Sequence, residues 1–155
     1  MSFQFLSLSD TRFSLFFGKD SQSLAKLGVM TRVVDKNPGF PCRVSLQDAE
    51  IGERVLLLNF EHLPARSPFR SSHAIYDREG ATQTHLPPNV VPEFLRARTL
   101  SLRAFDAQAL MVNALLGNGS EVETEIAVLF SETNVERIHV HSAGPGCFLC
   151  EVQRA

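Results

Sequence analysis

The chain has 155 residues, 44% of them hydrophobic and 21% charged, with a formal net charge of −2; this predicts one compact domain over residues 1–155 and excludes long disorder. The near-neutral balance, without a basic stripe, argues against nucleic acid or an anionic membrane as a partner, and no window approaches the ~18 apolar residues of a membrane span. Three cysteines, an odd and small number, argue against a disulfide framework, and with no leader-like N-terminus the expected location is the cytoplasm.

In chain order, Phe3 to Leu8 reads as a strand. Ser9 or Asp10 caps a helical turn ending at Gly18, and Asp20 or Ser21 opens a short helix closed by Gly28. Val29 to Val34 is strand-like, and Asn37-Pro38-Gly39 is a turn. Phe40 to Leu46 is extended and starts at an edge, because Pro41 lacks an amide donor. Gln47 to Gly52 reads as one helical turn with a glycine stop. Arg54 to Phe60 is the clearest strand, apolar on both faces and therefore expected to be central and covered on both sides.

From Glu61 to Ser72 the periodicity stops and a loop is expected. Ala74 to Arg78 reads as a strand and Gly80 to Asn89 as a second loop. Pro92 suits the first turn of a short helix reaching about Arg98. Thr99 to Phe105 and Leu110 to Leu116 read as a hairpin, followed by a turn at Gly117-Asn118-Gly119. Ser120 and Glu123 have capping-box spacing, and Val122, Ile126 and Leu129 recur at helical spacing. Val135 to His141 and Cys147 to Val152 are the last strands, joined by Gly144-Pro145-Gly146. This order fits an α+β fold with a mixed or mainly antiparallel sheet and a few short helices.

His139 and His141 stand two apart in a strand, so both leave one face while Ile138 and Val140 leave the other. Two neutral imidazoles can ligate a metal if a third ligand joins them, and His62 or His73 are the candidates. One zinc would require the His139 and His141 nitrogens to lie roughly 3–3.5 Å apart. Gly144 and Gly146 around a rigid proline can present backbone amides to an anion, or simply turn a hairpin.

The 15 cations divide into 12 Arg and 3 Lys. Arg43, Arg70 with its neighbour Ser71, and Arg103 lie in extended or loop positions, where planar guanidinium groups can hold a carboxylate or phosphate. Arg96 and Arg98 are better explained by the expected helix C-terminus. Cys42, or Cys147, paired with a histidine would satisfy the residue types of a nucleophile and its base. Cys147 and Cys150 form a C-x-x-C, but in a strand pattern rather than at a helix N-terminus, which disfavours redox or zinc use. Walker, G-x-G-x-x-G, H-E-x-x-H and G-x-S-x-G signatures are absent, so no cofactor is indicated.

Pro38-Gly39-Phe40-Pro41-Cys42-Arg43, Pro68-Phe69-Arg70-Ser71, Ser101 to Asp106, and His139-Val140-His141 through Gly146-Cys147 together resemble the bacterial family called domain of unknown function 1203. The resemblance covers most of the chain after about residue 36. Two positions depart from the family pattern: Ser72-His73-Ala74 replaces a glycine-proline pair, and Ser142 replaces an Asn after the second histidine. The resemblance implies a shared architecture and no chemistry, and it groups Cys42, Arg43, Arg70, Arg103, His139 and His141 as positions to compare. The leading expectation is a pocket in which Arg43, Arg70 and Arg103 bind an anionic small molecule with His139 or His141 as acid or base. The alternatives are a non-catalytic interaction module and a metal-dependent enzyme using His139 and His141.

Overall fold

The computed structural model describes residues 1–155. Its strands are β1 (Phe3–Leu6), β2 (Met30–Val33), β3 (Pro41–Cys42), β4 (Gln47–Asp48), β5 (Arg54–Leu63), β6 (Ser71–Arg78), β7 (Thr99–Phe105), β8 (Met111–Asn118), β9 (Arg137–Ser142) and β10 (Phe148–Arg154), and its helices are α1 (Ser21–Ala25) and α2 (Val122–Phe130). They form two five-stranded sheets, ordered β1-β10-β9-β7-β8 and β2-β5-β6-β3-β4. Every pairing is antiparallel except a short parallel contact of β3 with β6. The fold is therefore α+β, mainly antiparallel, with a few short helices.

Alternation decides which side of each strand is covered. In β7, Leu100, Leu102 and Ala104 are fully buried, and they join Ile138 and Val140 of β9 and Val122, Ile126 and Leu129 of α2 in the main core. Each large side chain there contributes roughly 1.5–3 kcal/mol by leaving water. The second sheet builds its own core from Leu56 and Leu58 of β5, Ile75 of β6, and Phe13, Leu24 and Val29 ahead of them in the chain. β5 is central, between β2 and β6. Its second face is covered only at Val55, by Val34, Phe40 and Ala49; Leu57 is half-buried and Asn59 exposed.

Several local expectations change. Gln47-Asp48 is a strand rather than a helical turn: Leu46, at φ 53°, reverses the chain, and Pro41 and Cys42 pair with Asp48 and Gln47. The extended segment expected over Phe40 to Leu46 shrinks to the two residues of β3. β5 runs on to Leu63 through a bulge at Glu61/Leu63, and β6 already starts at Ser71, so the expected loop is shorter and His62 stands on a strand. The sequence pattern hides this because Glu61 turns outward to Arg70 while His62 turns inward. Gly117 and Asn118 extend β8. The capping box does not form: Ser120 lies in a 3₁₀ turn, Gly119–Glu121, and Glu123 instead receives Arg96 Nη2 at 2.6 Å.

Candidate metal centre

β9 places its residues as strand parity requires. Ile138 and Val140 enter the core under α2, while His139 and His141 face the other way. That second face is not open to solvent, for both histidines are 0% exposed. On β7, Arg103 and Ser101 stand opposite His139 and His141. From the other sheet, the bulged end of β5 delivers His62, which is also buried.

The three imidazoles meet at the seam between the sheets, with a ligand-capable nitrogen of each within 4.8 Å of the others. His62 approaches His141 at 4.9 Å between ring centroids and His139 at 5.6 Å, both edge-on. Phe148 closes the cluster: it stacks flat on His62 at 5.2 Å and meets the other two rings edge-on. Phe105 also meets His139 edge-on, at 5.1 Å between ring centroids.

Hydrogen bonds orient two of the three rings. His141 Nδ1 lies 2.9 Å from the Gly146 carbonyl oxygen. A carbonyl only accepts, so Nδ1 carries the proton and Nε2 keeps a lone pair. His139 Nε2 lies 3.3 Å from Glu151 Oε2, so Nε2 donates to the carboxylate and Nδ1 is the ring nitrogen left over. Those two nitrogens and His62 Nδ1 are buried without any hydrogen-bond partner, a condition that native structures rarely leave unexplained. Burial pushes His62 down to about 4 and His141 down to about 3, so both are neutral at pH 7, the form that ligates a metal. Burial alone would raise the Glu151 carboxyl, yet the bonds from His139 and Gln153 outweigh it and hold Glu151 below the usual range.

Histidines that donate one nitrogen to a carboxylate or carbonyl and direct the other at a common point are the usual arrangement around a bound metal. Ligand atoms about 2.1 Å from one tetrahedral ion lie about 3.4 Å apart. The nitrogens stand within 4.8 Å of one another, so gripping one ion requires their separations to shorten to about 3.4 Å. Beside them opens a cleft of about 330 Å³, with His62, Glu151, Arg12, Arg137 and Phe60 on its walls.

The other candidates fall in different places. Arg103 is half-buried beside the histidines and donates from Nε to Ser101 Oγ. Arg70 is largely exposed and gives both Nε and Nη2 to Glu61. Arg43 is 2% exposed and donates to the carbonyls of Phe148 and Pro41. No cavity is lined by more than one of these three arginines. Ser71 pairs with Leu63 at the start of β6. Cys42 is fully buried away from the histidines, with its thiol on Asp77. His73 Nδ1 contacts the Ala74 carbonyl, and His73 is outside the cluster. Gly146 has φ +79°, which glycine adopts without strain. Its amide donates to Ser142 O, so the turn orients His141 through a carbonyl and holds back that amide from any anion. Phe148 and Glu151 were not singled out in the sequence, although Glu151 is the one charge in the run Cys147 to Val152.

Two mainly antiparallel sheets with a three-histidine cluster buried in their seam define the class: an α+β protein with a candidate metal centre. The chain belongs to the family described as protein of unknown function DUF1203, whose model matches residues 39–154 and so spans all three histidines. No curated protein and no solved structure matches it.

Proposed function

We propose that this chain is a metalloprotein that holds a divalent first-row transition ion through His62 Nδ1, His139 Nδ1 and His141 Nε2. One observation carries the reading: three buried histidines stand with ligand-capable nitrogens within 4.8 Å of one another, and each has a ring nitrogen with no hydrogen-bond partner. Three neutral ligands leave the ion its full +2 charge and room for a water or substrate oxygen, the setting for Lewis-acid chemistry. The adjacent cleft with Arg12 and Arg137 gives an oxygen-bearing substrate a route to that side of the cluster. Three unpaired thiols support a reducing, cytoplasmic setting, and no helix is long and apolar enough to cross a membrane.

The test is elemental analysis of protein purified without an affinity tag, followed by zinc titration of chelator-treated protein by calorimetry. One tightly bound ion per chain, lost in His62→Ala and in His139→Ala while the circular dichroism spectrum is retained, is the expected result. Stoichiometric binding that survives both substitutions, or no binding by the folded wild-type chain, overturns the proposal.

A further inference from the structure

Arg43 presents a separate problem. It is 2% exposed and forms no ion pair. Nε donates to Phe148 O at 2.8 Å and Nη1 to Pro41 O, while Nη2 has no protein acceptor. Burial pushes the group down to about 10, which leaves it cationic at pH 7. A guanidinium out of water without a counter-ion is costly, and such charges are ordinarily paired.

The unpaired group lines a cavity of about 400 Å³, a common size for a small-molecule site, whose other walls include Leu57, Tyr76, Arg98, Ser142 and Cys147. Arg98 is already neutralised, for Asp48 receives both Nη1 and Nη2 at 3.0 and 2.6 Å. Neither the Tyr76 nor the Ser142 hydroxyl is engaged elsewhere in the protein, and the Tyr76 ring is fixed by Phe40 at 5.0 Å. The cavity thus has one uncompensated positive charge at its base, two spare hydroxyls, and apolar surface from Leu57, Ala74 and the prolines.

From this we infer that the cavity is a second binding site, distinct from the histidine cluster, for a small monocarboxylate with an apolar body: the carboxylate sits on Arg43, and the body lies between Tyr76 and Leu57. One unpaired charge matches a monoanion rather than a phosphate, and the apolar wall favours a hydrocarbon tail over a polyol.

Tyr76 is the only tyrosine of a chain without tryptophan, so its emission reports on this cavity directly. The experiment titrates chelator-treated, full-length protein with cyclohexanecarboxylate, with the neutral cyclohexanecarboxamide, and with inorganic phosphate. Tyrosine emission is followed, and calorimetry supplies the stoichiometry. Expected are one saturable carboxylate site and at least about tenfold weaker binding of the amide, the loss of a charge-assisted hydrogen bond. Arg43→Met should abolish binding. That substitution also frees two backbone carbonyls, so Ala74→Phe, at an exposed position on the cavity wall, provides an independent block and should abolish binding in a folded protein. Equal affinity for the amide, equal saturation by phosphate, binding retained in Ala74→Phe, or no saturation at millimolar carboxylate overturns the inference. Removing metal beforehand keeps its outcome separate from that of the histidine site.

Discussion

Cys42 Sγ lies 3.3 Å from Asp77 Oδ1, and the other carboxylate oxygen of Asp77 is buried with no partner at all. A weak thiol donor does not replace the lost water. Burial therefore pushes the Asp77 carboxyl up from 3.8 to about 6, with the Cys42 bond opposing only part of that shift.

The raised value gives a pH dependence of definite sign. Below pH 3.8 the carboxyl is protonated in both folded and unfolded chains, and it costs nothing. Between pH 3.8 and about 6 the unfolded chain ionises first, so stability falls, and above about 6 the loss levels off at roughly 3 kcal/mol. Asp77→Asn should therefore gain stability over wild type across that window and hold the gain at pH 7. Urea melts of both proteins from pH 4 to 7.5 check this; a stability difference that does not change with pH would refute it.

Glu151 is the carboxylate that accepts from His139 Nε2 and so orients the ring. Glu151→Ala should weaken zinc binding by about 10–100-fold, the usual cost of losing a partner behind a ligating histidine, without unfolding the chain. Calorimetric titration of the variant measures it, and unchanged affinity would show that the carboxylate does not orient the ring.

Ser120 has the sequence context of a helix cap, where Ala typically costs ~1 kcal/mol. Here it is exposed and makes no capping bond, so Ser120→Ala should change stability by less than about 0.5 kcal/mol. Denaturant melts decide between the two values.

Gly119 sits where its missing side chain matters. A Cβ there would lie 1.7 Å from the Leu95 carbonyl oxygen, and its own amide donates to Arg98 O at 2.9 Å. Gly119→Ala must displace backbone rather than a mobile side chain, and should cost at least about 2 kcal/mol. A melting temperature within a degree of wild type would contradict that account.

The strands with regular alternation were readable from the sequence, and β7 and β9 are the clearest. Leu100, Leu102 and Ala104, like Ile138 and Val140, repeat every second residue because one face meets α2, and the same parity put His139 and His141 on a common face. What parity cannot say is what that face meets. In the structure that face is buried, with His62 of the second sheet packed against both histidines. His62 was one of two candidate third ligands, and the bulge that carries it onto a strand leaves no periodic signal. Residue type grouped Arg43, Arg70 and Arg103, but tertiary contacts take the first to the Phe148 carbonyl and the second to Glu61, while the third bonds its own strand neighbour Ser101. Ser120 and Glu123 show the reverse case, a local motif overridden because Arg96 offers the carboxylate a charged partner.

The placement of His62 on one sheet and of His139 and His141 on the other has a consequence for how the molecule comes apart. Each sheet has its own apolar core, which would ordinarily allow the halves to melt separately. His62 of the second sheet stacks on Phe148 and meets His139 and His141 of the first edge-on, so the aromatic contacts bridge the gap. The seam therefore joins the two sheets through aromatic contacts, and loosening it should weaken both cores together.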